Sequence, residues 1–115
     1  MAADAIMREK ILAAVPQQPP FRFIETIREL DEEGIVGSYR FRRDEYFYRG
    51  HFPGRPVTPG VILIEAMAQT GVVAHGLYLS LLRSGAEGGD LKKIITLFTL
   101  DLSRDRYSPW ATTTV

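Results

Sequence analysis

The chain has 115 residues, 45% of them apolar and 24% charged, which is a globular composition long enough for one domain with its own core. Fourteen basic residues balance fourteen acidic ones, so the total charge gives no sign of nucleic-acid or membrane binding. The absence of cysteine excludes a disulfide framework, a thiolate metal site and a cysteine nucleophile, and it is compatible with a cytoplasmic setting.

Asp4, Arg8, Glu9 and Lys10 place charge in a stretch that a signal peptide would keep apolar, so no leader is expected there. The span Val61 to Leu82 is long enough to raise the membrane question. Glu65, Gln69 and His75 within it argue against lipid contact, and no membrane span is expected.

In chain order, Asp4 to Val15 reads as a short amphipathic helix. Asp4 is its N-cap, and Met7, Ile11, Leu12 and Val15 lie on one face. Pro16, Pro19 and Pro20 stop it. Phe21 to Leu30 reads as a strand with imperfect alternation. Asp31 to Gly34 is a turn in which Gly34 can take positive φ. Ile35 to Arg43 is a cleaner strand, with Ile35, Gly37, Tyr39 and Phe41 on one face, and the two strands should pair as an antiparallel hairpin. Asp44 to Val57 is an irregular segment, stiffened by Pro53 and Pro56 and rich in aromatic rings (Tyr46, Phe47, Tyr48, Phe52) that could pin it to the body.

Pro59 to Leu82 reads as one long helix, about 35 Å at 1.5 Å per residue. Pro59 suits the first helical position. Apolar residues cover all its faces, which predicts a helix buried within the domain. Arg83 to Asp90 is a glycine-rich loop, and Leu91 to Leu102 is a third strand. Ser103 to Val115 has no clear pattern. The expectation is a single domain over residues 1–115 with an atypical segment at 103–115.

Chemistry concentrates in Gly50 to Gln69, GHFPGRPVTPGVILIEAMAQ. The N–H groups of Gly60 and Val61 lack intrahelical partners at a helix start, where the dipole is positive, and suit a carbonyl oxygen that gains negative charge. Glu65 is a carboxyl in an otherwise apolar helix, so it should be paired, hydrogen-bonded or protonated, and a protonated carboxyl is a general acid. Gln69, four residues on, lies on the same face and can bond it. The bland alternative is a structural carboxylate bound to an Arg or to solvent. His51 suits a general base, although a lone loop histidine is more often a packing or surface residue. His75 is read as structural.

The run His-Phe-Pro-Gly, then Pro-Gly, then Glu-Ala-Met-Ala-Gln, with Glu65 fourteen positions after His51, closely resembles the signature of the β-hydroxyacyl-[acyl carrier protein] dehydratases. PQQPPFRFIETI resembles that family's entry into its first strand, and the likeness extends to about Leu100. The resemblance implies an α+β hot-dog fold, an antiparallel sheet wrapped around one long helix. It implies that His51 takes the C2 proton of a (3R)-3-hydroxyacyl thioester and helps position its hydroxyl. Glu65 would protonate the leaving hydroxyl, and the Gly60 amide, with Val61, would hold the thioester carbonyl. Gln69 is similar to the family's glutamine beside the acid, and Glu at position 65 resembles the dehydratase rather than the dehydratase–isomerase branch. It implies a His51–Phe52 peptide that is strained or cis, no metal or redox cofactor, and an assembly of at least two copies with sites shared between protomers. Acyl carrier protein would be the partner, with Arg42, Arg43, Arg49, Arg55, Lys92 and Lys93 as candidate docking charges. Each is otherwise an ordinary solvated cation.

The family continues with further strands after Leu102, and Ser103 to Val115 does not resemble them, so an incomplete sheet is expected. A truncated or frameshifted product, a short variant completed by a partner, and unrecognised strands all stay open. So do a hot-dog thioesterase, a polyketide-type dehydratase and a non-catalytic acyl-binding or assembly protein.

Overall fold

The computed structural model describes residues 2–84. The expected third strand, the remainder of the glycine-rich loop, Lys92, Lys93 and the segment 103–115 lie outside the described residues. The elements are α1 (Ala5–Ala14), β1 (Thr26–Leu30), β2 (Ile35–Ser38), a 3₁₀ turn (Tyr46–Arg49), α2 (Gly60–Ala68), a π-helical stretch (Gln69–Ala74) and α3 (His75–Ser84). The last three form one continuous helix, Gly60–Ser84.

Helix α1 begins as expected, with the Asp4 side chain accepting from the Met7 N–H at 2.8 Å. Its inner face buries Ile11, and Val15 is buried just beyond its end. The first strand is shorter than expected. Phe21 to Glu25 lies outside it, although Phe23 and Ile24 are among the most buried side chains. A glutamine on the helix holds Phe21 and Phe23 there, and the Glu25 N–H donates to the Ser38 carbonyl of β2 at 2.7 Å. The second strand also ends early, at Ser38 rather than Arg43.

The hairpin is antiparallel as expected, with Ile27 opposite Gly37, Glu29 opposite Val36, and an irregularity between Ile27 and Glu29. The extra residue accounts for the imperfect alternation of β1. It lets Ile27 and Leu30, three apart, both face the core. The turn holds through Asp31, whose Oδ1 accepts from the N–H groups of Glu33 (2.8 Å) and Gly34 (2.9 Å). Gly34 does not use the positive φ open to it; Gly54 alone takes one among the described residues.

Gly37 is required for space. A Cβ there would stand 2.9 Å from Thr70 Cγ2 and 3.1 Å from Ile24 Cδ1, because β2 crosses the π-helical stretch at this point. The main apolar cluster joins Ile11 and Val15 to Ile24, Ile27 and Leu30 and to Val73, Ala74, Leu77, Tyr78 and Leu81. The core therefore lies between α1, the hairpin and the second half of the long helix.

The helix is not buried all round. Val61, Ile64, Met67 and Val72 are 71%, 63%, 66% and 63% exposed. Among the described residues one helix and two strands cover one side of the rod, and these residues lie on the other. Gly60–Ser84 is long and apolar enough to cross a membrane by length and composition alone. Its polar groups are instead engaged by the body of the domain. Gln69 bonds residues of the segment before β1, and His75 Nε2 bonds the Asp31 carbonyl at 2.9 Å in the hairpin turn. These bonds mark it as the core helix of a folded domain.

Candidate active site

His51 is set by the loop before the long helix. The rings do what the sequence suggested. Phe47 meets Phe23 (6.1 Å between centroids), Phe41 (6.2 Å), Tyr46 (5.4 Å) and Tyr48 (4.6 Å), mostly edge to face. Tyr48 then ties the loop's two ends, its hydroxyl meeting Thr58 Oγ1 at 2.6 Å and its carbonyl accepting from the His51 N–H at 3.4 Å. Phe52 and Arg55 exchange backbone hydrogen bonds across a tight turn. Gly54 sits there at φ 71°, a conformation that favours glycine. The His51–Phe52 peptide is cis, as the resemblance implied.

His51 is held at two points by Val57. The Val57 N–H donates to the His51 carbonyl at 2.9 Å, and His51 Nδ1 lies 2.8 Å from the Val57 carbonyl. A carbonyl only accepts, so Nδ1 carries the hydrogen. In the neutral ring Nε2 then keeps its lone pair, which is the form a general base needs. The ring is half-buried and stacks on Phe52 at 4.2 Å.

Glu65 is half-buried on α2, and its Oε2 accepts from Gln69 Nε2 at 3.0 Å. Gln69 is fully buried. Its Oε1 accepts from the Phe23 N–H at 2.7 Å, and its Nε2 also donates to the Phe21 carbonyl at 2.9 Å. These backbone groups allow one amide orientation, because a main-chain N–H only donates and a carbonyl only accepts. Nε2 is thus directed at Glu65. The π-helical stretch begins at Gln69 itself, a kind of irregularity frequent at functional sites.

Pro59 is the N-cap, with extended backbone (φ −60°, ψ 137°), and Gly60 is the first helical residue. This corrects the expectation by one position: the cap carbonyl is needed to accept from the N–H groups of Ile62 (3.0 Å) and Leu63 (3.3 Å). The N–H groups of Gly60 and Val61 have no acceptor among the described residues, and both residues are exposed. They remain free to receive a carbonyl oxygen.

The structure brings Glu65 and Gln69 into contact but does not join them to His51 within the described residues of one chain. No described cavity is lined by both His51 and Glu65. A cavity of about 440 Å³ lies between β2 and the helix, lined by Phe23, Gly37, Tyr39, Phe41, Met67 and Thr70 among others. Another, of about 310 Å³, adjoins the loop and places Arg43 and Arg49 beside Tyr48 and Phe52, with Asp44 and Glu45 in the same wall. Arg42 and Arg55 are exposed nearby.

Sequence reading missed the backbone groups of Phe21, Phe23 and Val57, which act through atoms that every residue carries. It also missed Tyr39, whose hydroxyl donates to Glu45 Oε2. Burial, and then that carboxylate, push the Tyr39 hydroxyl well above its ordinary range.

Residues 15–102 match the model of a family described as FabA-like domain. Similar proteins include a 3-hydroxyacyl-[acyl-carrier-protein] dehydratase FabZ of Syntrophobacter fumaroxidans, 48% identical over 64 residues, covering 56% of this chain and 44% of that protein. The same name belongs to a Herpetosiphon aurantiacus protein, 49% identical over 67 residues (56% of this chain, 47% of that one). It also belongs to a Chloroflexus aggregans protein, 38% identical over 95 residues (76% and 65%). The chain spans less than two thirds of the length of each of these relatives.

Proposed function

Because the chain belongs to the FabA-like domain family, whose hot-dog fold is α+β, we propose that it dehydrates (3R)-3-hydroxyacyl-[acyl carrier protein] thioesters to trans-2-enoyl thioesters in fatty-acid synthesis. One observation supports this most: the two groups that the reaction needs are each held in a usable form. His51 donates through Nδ1 and presents Nε2, and Glu65 is oriented by a glutamine whose amide cannot turn.

In this reading a thioester carbonyl sits on the N–H groups of Gly60 and Val61. Their field and the start of the helix stabilise the enolate-like charge that forms when C2 loses its proton. His51 Nε2 takes that proton. Glu65 gives its proton to the C3 hydroxyl, which leaves as water, and the C2–H electron pair becomes the C2–C3 double bond. Two proton transfers, one from C2 and one to the leaving hydroxyl, and carbonyl polarisation complete the step, so the reading calls for no metal or redox cofactor.

A complete site would draw His51 from one protomer and Glu65 from another, which makes the working unit at least a dimer. Within one chain the hydrogen-bond partners of His51 (Val57) and of Glu65 (Gln69) are different, which is in keeping with this arrangement. The partner would be acyl carrier protein in the cytoplasm, met by Arg43 and Arg49 beside the His51 loop with Arg42 and Arg55 around them. The test is hydration of a crotonyl or longer enoyl thioester by the purified protein, followed by loss of enoyl absorbance. His51→Ala and Glu65→Gln should each lower turnover roughly 10²–10⁴-fold in folded protein. Unchanged rates in both would sink the assignment, and release of free thiol would point to a thioesterase instead.

A further inference from the structure

We propose that Phe23 is a positioning residue that holds both candidate catalytic groups of the chain, the acid through its backbone N–H and the base through its ring. The inference rests on the dehydratase reading of His51 and Glu65.

Phe23 is 1% exposed, yet it stands outside the main apolar cluster of α1, the hairpin and α3. It lies instead at the centre of the aromatic group. Its ring meets Phe21 at 5.1 Å, Tyr39 at 5.6 Å, Phe47 at 6.1 Å and Phe41 at 6.3 Å. Phe47 belongs to the 3₁₀ turn that leads into His51, and its neighbour Tyr48 accepts from the His51 N–H. On the other side, the Phe23 N–H is the donor that fixes Gln69 Oε1, and so directs Gln69 Nε2 at Glu65. Two short paths therefore leave one residue. The path to the acid runs through two hydrogen bonds, and the path to the base runs through two ring contacts, Phe23–Phe47 and Phe47–Tyr48, and the bond from the His51 N–H to the Tyr48 carbonyl. A group that packs only for stability would lack the first path, and a hydrogen-bonding link alone would lack the second.

The test reads geometry without turnover. Nitrogen-15 spectra of the two histidines are assigned with His51→Ala, and the Gln69 side-chain amide is assigned with Gln69→Leu. Wild-type His51 should show the Nδ1–H tautomer. Phe23→Leu keeps the N–H but removes the ring that seats it among Phe21, Tyr39, Phe41 and Phe47; it should mix the His51 tautomers and shift the Gln69 amide, and it should lower kcat about ten- to a hundredfold with little change in KM. Phe47→Leu, at a half-buried position, should disturb His51 alone. Leu81→Ala, buried in the main cluster, should lower Tm and leave both signals as in wild type. Folded Phe23→Leu with both signals unchanged would overturn the proposal. So would Leu81→Ala disturbing them equally. If Phe23→Leu does not fold, Phe47→Leu decides, and an unmoved His51 signal overturns the proposal. A chain that shows the pattern but no dehydration overturns the dehydratase reading and keeps the positioning. A chain that dehydrates without the pattern overturns the positioning alone.

Discussion

Gln69 Nε2 donates to Glu65 Oε2 at 3.0 Å, from one helical turn further along, while its Oε1 is held by the Phe23 N–H at 2.7 Å. The carboxyl is thus oriented by an amide that is itself locked by main chain. A glutamine with no exposed surface makes three hydrogen bonds to three different residues, and this places the segment before β1 in direct control of the helix.

That control has a stability consequence. Gln69→Leu would leave the buried Phe23 N–H without an acceptor, a loss of about 1–3 kcal/mol. Urea unfolding should show a lower midpoint of this order. An unchanged midpoint would mean that water reaches the Phe23 amide.

Glu65→Gln separates chemistry from folding. A glutamine at 65 still offers an oxygen to Gln69 Nε2, so the midpoint should move by less than about 1 kcal/mol, as expected for a replaced neutral hydrogen bond. Turnover should fall roughly 10²–10⁴-fold, the usual range for loss of a general acid. Enoyl thioester hydration measures the second, and urea unfolding the first.

Gly37→Ala should destabilise the crossing of β2 over the helix. Its Cβ would come within 2.9 Å of Thr70 Cγ2, and overpacking of this kind costs about 1–3 kcal/mol. Thr70→Ala on top of Gly37→Ala should recover part of the loss. A second substitution that only adds to the damage would show that Ile24 Cδ1, at 3.1 Å, is the harder wall.

The Tyr39 hydroxyl should ionise well above the ordinary tyrosine range. Its ionisation is raised by burial first and by the Glu45 carboxylate second. A proton held more tightly in the folded state stabilises that state fully below the ordinary tyrosine value, about pH 10. The contribution is lost as pH climbs from there through the folded value. Phenolate absorbance in an alkaline titration should show a late step, and Tyr39→Phe should remove it. If the late step persists in that variant, the assignment to Tyr39 fails.

Much of this site was legible in side-chain types and spacing. Asp4 as a cap, the antiparallel hairpin, the long helix and the Glu65–Gln69 pair all follow from local rules: a carboxylate before an amphipathic run, two apolar stretches around Asp-Glu-Glu-Gly, and an i, i+4 spacing on one face. These depend on residues a few positions apart, which is the range over which a sequence specifies geometry by itself. The tertiary structure decided the rest. The first strand is shorter than its apolar run because the Phe23 N–H is taken by Gln69, 46 positions away. The bulge in β1 lets Ile27 and Leu30 share one side. The tautomer of His51 depends on the Val57 carbonyl, and the direction of the Gln69 amide depends on a main-chain N–H. Backbone groups are the same at every residue, so nothing in the letters marks which of them will meet a side chain; only the folded path of the chain selects them.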